Sequence, residues 1–206
     1  GASGFIGGAI VRALADRFTL RALSRSEGSD QEIRALGATP IRGELGSVAA
    51  DAIAGSEAVI HCAAFVKQWG TREQFWNANV EGTRQLLQVA RQAGARRFIH
   101  IGTEAALFHG QHMRDIDERY PYPEHTPFRY SETKAAAEKL VLAANAPGFA
   151  TLSIRPRFVW GPGDQTILPV LAAMVRSGRF VWIDGGRALT STTHIANLVH
   201  GADLAL

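Results

Sequence analysis

A chain of 206 residues with 46% hydrophobic content is long enough to bury a full core within a single domain. Its net charge of +3 comes from 22 Lys and Arg scattered among 19 Asp and Glu, which excludes the clustered basic footprint of a nucleic-acid binder. The lone cysteine, Cys62, excludes a disulfide framework and fits a reducing cytosol, and no apolar run approaches the ~20 residues of a membrane helix. A cytoplasmic protein with a small-molecule substrate and no membrane segment is the expectation. Gly- and Ala-rich stretches in which strand and helix patterns alternate point to an α/β fold.

Gly1-Ala-Ser3-Gly4-Phe5-Ile6-Gly7 runs straight into the helical pattern from Ala9. Glycines so spaced let a backbone approach a pyrophosphate, and the following helix N-terminus offers unpaired N–H groups. The strand that ordinarily precedes such glycines does not occur before Gly1, so a longer natural chain is expected on both sides of the sequence. Phe18–Ser24 alternates as a strand and ends at Arg25. An acidic residue there would hold the ribose 2′-hydroxyl of NAD, whereas an arginine accommodates the 2′-phosphate of NADP. Arg25 therefore favours NADP, with NAD the alternative if Arg25 is only a solvated loop residue. Residues 31–36 form a short helix, residues 39–43 a strand with Glu44 and Leu45 at its end, and residues 58–64 a buried strand ending in Cys62, Ala63 and Ala64. Small residues there leave room for a flat cofactor. His61 and Cys62 are read as core residues rather than metal ligands. One long helix is predicted over 72–92, with Asn79 hydrogen-bonded among apolar neighbours. The strand over 97–103 delivers Thr103 to a strand C-terminus, where ligands bind in open α/β sheets.

Residues 108–129 form a Pro-rich irregular connection. His109, His112, Asp115 and Asp117 lie in it without fixed geometry, and no metal is expected. Tyr130-Ser-Glu-Thr-Lys134 opens an Ala-rich helix, and the i, i+4 spacing puts phenol and ammonium on one face. A free phenol titrates near roughly 10, and an adjacent ammonium lowers that value, making Tyr130 usable as an acid or base. A strand over 150–155, a turn at 161–164, an apolar helix over 166–176, a short strand over 180–183 and a last helix over 193–206 complete the chain.

Taken together, Gly1–Gly7, His61–Ala64, Asn79-Val-Glu-Gly-Thr83, Tyr130–Lys134 with Glu138, Arg155-Pro156, Gly161-Pro-Gly-Asp164 and Thr193-His-Ile-Ala-Asn197 resemble the extended short-chain dehydrogenase/reductase family, the NAD(P)-dependent epimerase/dehydratase group. Ala64–Gly70, Gly102–Ala105, Trp160–Gly163 and Gly178–Ile183 leading to Ser191–His194 are most similar to its 3β-hydroxysteroid dehydrogenase-like branch. The resemblance implies a doubly wound parallel sheet of Rossmann type, strand order 3-2-1-4-5-6 with the first strand missing. It implies one dinucleotide-binding domain over 1–206, with 161–192 contributing to a substrate-binding region.

The resemblance further implies hydride transfer between a nicotinamide and a secondary alcohol or ketone. Tyr130 is then the acid/base, Lys134 lowers its pKa and holds the nicotinamide ribose, and Thr103 polarises the reacting oxygen, with Glu104 at that place if the register shifts by one. Gly1, Ser3, Gly4, Phe5, Ile6 and Gly7 cradle the pyrophosphate. Glu44 and Leu45 meet the adenine, Cys62, Ala63, Ala64 and Pro156 line the nicotinamide, and Lys67, Glu104 and Arg157 are candidate substrate contacts. A homodimer through the helices over 72–92 and 130–144 is expected. Two rival readings are a sugar-nucleotide epimerase or dehydratase holding NAD, and a non-catalytic NAD(P)-binding sensor or assembly subunit.

Overall fold

The computed structural model describes residues 1–67 and 69–206, so Gln68, within the Ala64–Gly70 motif, lies outside the described residues. Every strand pairing between named strands is parallel. β1 (Arg21–Ser24) pairs with β2 (Thr39–Arg42), and β3 (Ala58–His61) pairs with β4 (Arg97–Ile101), which pairs in turn with β5 (Ala150–Ile154). Two separate sheets result, β1-β2 and β3-β4-β5. An order 3-2-1-4-5-6 without its first strand divides into those same two sets. A separate two-residue pair joins β6 (Val159–Trp160) to β7 (Thr193–His194).

Helices cover both faces because strand residues alternate in direction. On β4, Phe98 packs in a cluster with Leu86, Leu87 and Ala90 of α4 (Gly82–Gln92) and Val141 of α5 (Arg129–Ala143). Ile99 and Ile101, facing the other way, pack with Ile10 and Leu14 of α1 (Phe5–Leu14) and Leu198 and Ala202 of α7 (Ile195–Leu204). The α2 helix (Glu27–Ala35) covers β1 and β2 through the fully buried Ile33. This is a doubly wound α/β fold, as the sequence pattern implies.

Two predicted elements differ. The single helix over 72–92 is α3 (Arg72–Trp76), a π-turn at Asn77–Glu81, then α4. Its start is fixed by a capping box between Thr71 and Gln74. The π-turn is where Asn79 turns its amide inward, and such insertions interrupt helices at sites of this kind. The predicted strand over 180–183 does not form. Val181, Trp182 and Ile183 are exposed, and Asp184 (φ 52°) and Gly185 (φ 61°) turn the chain through the left-handed region. Its β-branched and aromatic composition suits a strand, but strand preference is expressed only against a neighbouring strand. The helix predicted over 166–176 is α6 (Leu168–Arg176), and the turn leading into it is held by Asp164, whose carboxylate accepts the N–H groups of Thr166, Ile167 and Leu168.

Candidate active site

The parallel topology carries the C-terminal ends of β1, β3, β4 and β5 to one edge, and most of the predicted site residues gather there. Arg25 follows β1 and is exposed. Cys62, Ala63 and Ala64 follow β3 and sit against the glycine turn: a Cβ on Gly1 would lie 2.8 Å from the Ala63 nitrogen. Within that turn, a Cβ on Gly7 would lie 2.2 Å from the Gly1 carbonyl oxygen, so only glycine fits. The helix α1 starts from Gly4, which offers no side chain to cap the first-turn N–H groups. Close backbone approach and a helix N-terminus without a side-chain cap fit a dinucleotide pyrophosphate. Gly7→Ala is expected to weaken NADPH binding by more than about tenfold, read by fluorescence titration, with circular dichroism reporting whether α1 persists.

Lys134 is buried on α5, with its Nζ 3.1 Å from the Ile101 carbonyl oxygen and 3.2 Å from His100 Nε2. Burial pushes its pKa down to about 8, against the opposing pull of Glu138 and Cys62. His100 is kept neutral by burial and by the Lys134 charge, and its Nδ1 has no partner among the described residues. His61, held down to about 3 by burial, lies 2.9 Å from Thr83 Oγ1. Thr83 spends its proton on the Asn79 carbonyl at 2.6 Å, so His61 Nε2 is the donor of that pair. Both histidines are buried, His61 as the sequence reading has it. No group of three or more metal-ligating side chains occurs among the described residues, His109 and His112 included.

Tyr130 does not follow the expected electrostatics. Burial pushes its phenol up to about 12, the Glu104 carboxylate adds to the rise, and hydrogen bonding to Thr103 pulls the other way. The Lys134 ammonium sits on Ile101 and His100 instead of lowering the phenol. The direction is thus opposite to that argued from the i, i+4 spacing, because burial and a carboxylate from β4's end outweigh a lysine turned toward the sheet.

Thr103 is engaged within the protein. Its hydroxyl donates to Glu104 Oε2 at 2.9 Å and accepts the Ala105 N–H at 3.2 Å. Glu104 Oε1 takes Arg157 Nη1 at 2.7 Å, and Arg157 Nε reaches Thr190 Oγ1 at 3.1 Å. The Glu104 N–H meets the carbonyl of the buried Pro156 at 3.4 Å. Thr103, Glu104, Tyr130, Pro156 and Arg157 therefore form one group at the ends of β4 and β5.

Glu44 and Leu45 stand apart from that group. Leu45 packs under Gly82, where a Cβ would lie 2.7 Å from its Cδ2, and Glu44 is exposed. Lys67 is exposed, with its ammonium 5.8 Å from the centre of the Phe65 ring.

Two functional neighbours escaped the sequence reading. His100 touches Lys134, and the only signal for it is β4's alternation, which turns it to the same face as Phe98. Tyr122 donates to the fully buried Glu138 at 2.5 Å, tying the Pro-rich segment to α5. A carboxylate four residues beyond Lys134 on a largely buried helix is the signal that such a partner exists.

The sequence pattern of the 3-beta hydroxysteroid dehydrogenase/isomerase family matches residues 1–206. The chain is 44% identical over its whole length to a 4-hydroxy-2-methyl-3-oxo-4-farnesyl-3,4-dihydroquinoline-1-oxide ketoreductase of Stigmatella aurantiaca, covering 62% of that protein. It is 37% identical over 96% of its length to a 2-alkyl-3-oxoalkanoate reductase of Stenotrophomonas maltophilia, covering 61% of it. The chain thus spans about six tenths of the length of these relatives. Among solved structures, MoeE5 in complex with UDP-glucose and NAD superposes with a TM-score of 0.80 at 27% identity, over 100% of this chain and 69% of that one.

Proposed function

This chain belongs to the 3-beta hydroxysteroid dehydrogenase/isomerase family, and on that premise we propose that it is the cofactor-binding part of an NAD(P)-dependent ketone reductase or alcohol dehydrogenase. The observation that carries the reading is the meeting of Tyr130, Thr103 and Lys134 at the same strand ends as the Gly1–Gly7 turn. A bound nicotinamide dinucleotide supplies the hydride chemistry. The chain's own part is to position and to move a proton. Gly1, Gly4 and Gly7 admit the pyrophosphate, and Lys134, charged at neutral pH, holds the nicotinamide ribose from the floor of the site. Tyr130, protonated at neutral pH, gives its proton to a carbonyl oxygen, which suits reduction. Residues 161–192 are assigned to the wall of the substrate site, where α6 keeps Leu168, Val170, Leu171 and Val175 exposed.

NADP is the proposed cofactor. Arg25 makes no ion pair among the described residues, whereas Arg42 at the end of β2 is bound to Asp30 at 2.6 Å. Arg25 is thus the cation left to meet a 2′-phosphate. NADPH is expected to bind at least about tenfold tighter than NADH, with Arg25→Ala erasing the gap. Equal affinities with Arg25→Ala silent would remove NADP and bring forward NAD and the epimerase reading, which the MoeE5 complex supports. A homodimer through α4 and α5 and a location in the reducing cytosol, suited to the free thiol of Cys62, complete the proposal.

A further inference from the structure

Thr103 owns one hydroxyl proton, and two groups compete for it. One is the Glu104 carboxylate, which accepts it at 2.9 Å. The other is the Tyr130 oxygen, for which a Thr103 donor would favour the ionised form. Glu104 is held in place to win. Its other oxygen is fixed by Arg157 at 2.7 Å, and Arg157 is itself pinned by Thr190 at 3.1 Å and by its guanidinium lying 4.7 Å from the Phe158 ring centre. The pair is half-buried, with side-chain exposures of 29% for Arg157 and 19% for Glu104, so solvent weakens it only in part.

A hydroxyl that gives its proton to a carboxylate and already accepts one N–H has a single lone pair left. Toward a substrate it is an acceptor, not a donor. A bare ketone brings only lone pairs, and of the two hydroxyls, Thr103 and Tyr130, only that of Tyr130 is left to donate to it.

We propose that Glu104 is a positioning residue that turns the Thr103 hydroxyl away from the reacting oxygen, so that the site takes ketones carrying a hydroxyl next to the carbonyl. The carbonyl oxygen receives the Tyr130 proton, and the neighbouring hydroxyl donates its single proton to Thr103 Oγ1. This rests on the reductase reading for its substrate, but not for the direction of the Thr103 hydroxyl.

The two parts are tested separately on the full-length protein. In proton NMR without ligand, the Thr103 hydroxyl proton is expected as a slowly exchanging signal in the wild type. It should be lost in Glu104→Ala and kept in Glu104→Asp. No such signal in the wild type, or an unchanged one in Glu104→Ala, overturns the positioning role whether or not the protein turns over any ketone. With NADPH, benzoin and deoxybenzoin differ by a single hydroxyl beside the carbonyl. The wild type is expected to prefer benzoin in kcat/KM by at least about tenfold, the preference collapsing toward one in Glu104→Ala and partly returning in Glu104→Asp. Equal turnover of the two by the wild type, or a preference that survives Glu104→Ala, overturns the substrate class. Turnover of neither ketone, with the Thr103 signal behaving as expected, counts against the reductase reading and the substrate class together while leaving the positioning role standing.

Discussion

Tyr130→Phe is expected to lower turnover by about a thousandfold, the scale of a lost general acid, while thermal unfolding and NADPH affinity stay close to wild type. Phenylalanine fills the same largely buried volume, so packing against the strand ends survives. What disappears is the proton donor of the proposed mechanism, since the Thr103 hydroxyl already donates to Glu104. Because burial and Glu104 hold the phenol near 12, the wild-type residue stays protonated through the neutral range. Its acid role in reduction then needs no prior titration. Removing the proton for alcohol oxidation is harder, so oxidation should rise with pH while reduction does not rise with it. Steady-state rates in both directions between pH 6 and pH 9 check this. A Tyr130→Phe protein that retains wild-type turnover would sink the proposed acid, and a protein whose biological output survives the change would favour a sensor.

Glu138→Ala is expected to destabilise the protein by about 3 kcal/mol, the scale of breaking a buried ion pair. Glu138 is fully buried, and its carboxylate is shared by Arg155 Nε at 2.7 Å, Ser153 Oγ at 2.6 Å and the Tyr122 hydroxyl at 2.5 Å. Alanine leaves the guanidinium, 17% exposed, without its counter-charge, and releases Tyr122 from α5. Urea unfolding should show a lower midpoint at an unchanged slope. Pairing Glu138→Leu with Arg155→Met should recover much of the loss, because two apolar groups leave no buried charge unpaired. If the double variant is as unstable as Glu138→Ala, the cost lies in the polar contacts to Tyr122 and Ser153 instead.

The sheet and its helical layers were legible because they rest on local pattern. Alternation in residues 97–101 marks β4 and tells Phe98 from Ile99, and the glycines ahead of α1 mark a turn whose close backbone contacts leave no room for a Cβ at Gly1 or Gly7. Asn79 was legible as a buried hydrogen-bonding residue, since a polar group among apolar neighbours must find partners. The strand over 180–183 misled because its composition is right and its neighbour is missing.

At the site, sequence spacing put Tyr130 and Lys134 on one helix face but could not rank their surroundings. Burial raises the phenol most and Glu104, twenty-six positions upstream, adds to it, while the groups that hold Lys134 are a β4 carbonyl and His100. Non-local electrostatics of this kind depends on which strand lies under which helix, and that is decided by the fold as a whole.

The amide of Asn79 has a wider consequence. Its Oδ1 accepts the Phe65 N–H at 2.7 Å, and its Nδ2 donates to the Phe65 carbonyl at 3.2 Å and to Thr133 Oγ1 at 3.1 Å. A side chain is doing for Phe65 what a neighbouring peptide group does inside a sheet, offering an acceptor and a donor side by side. Aspartate would present two acceptors to a carbonyl, and leucine of similar size would present none. The range of residues this position tolerates is therefore one amide wide, although it lies in the π-turn between two helices.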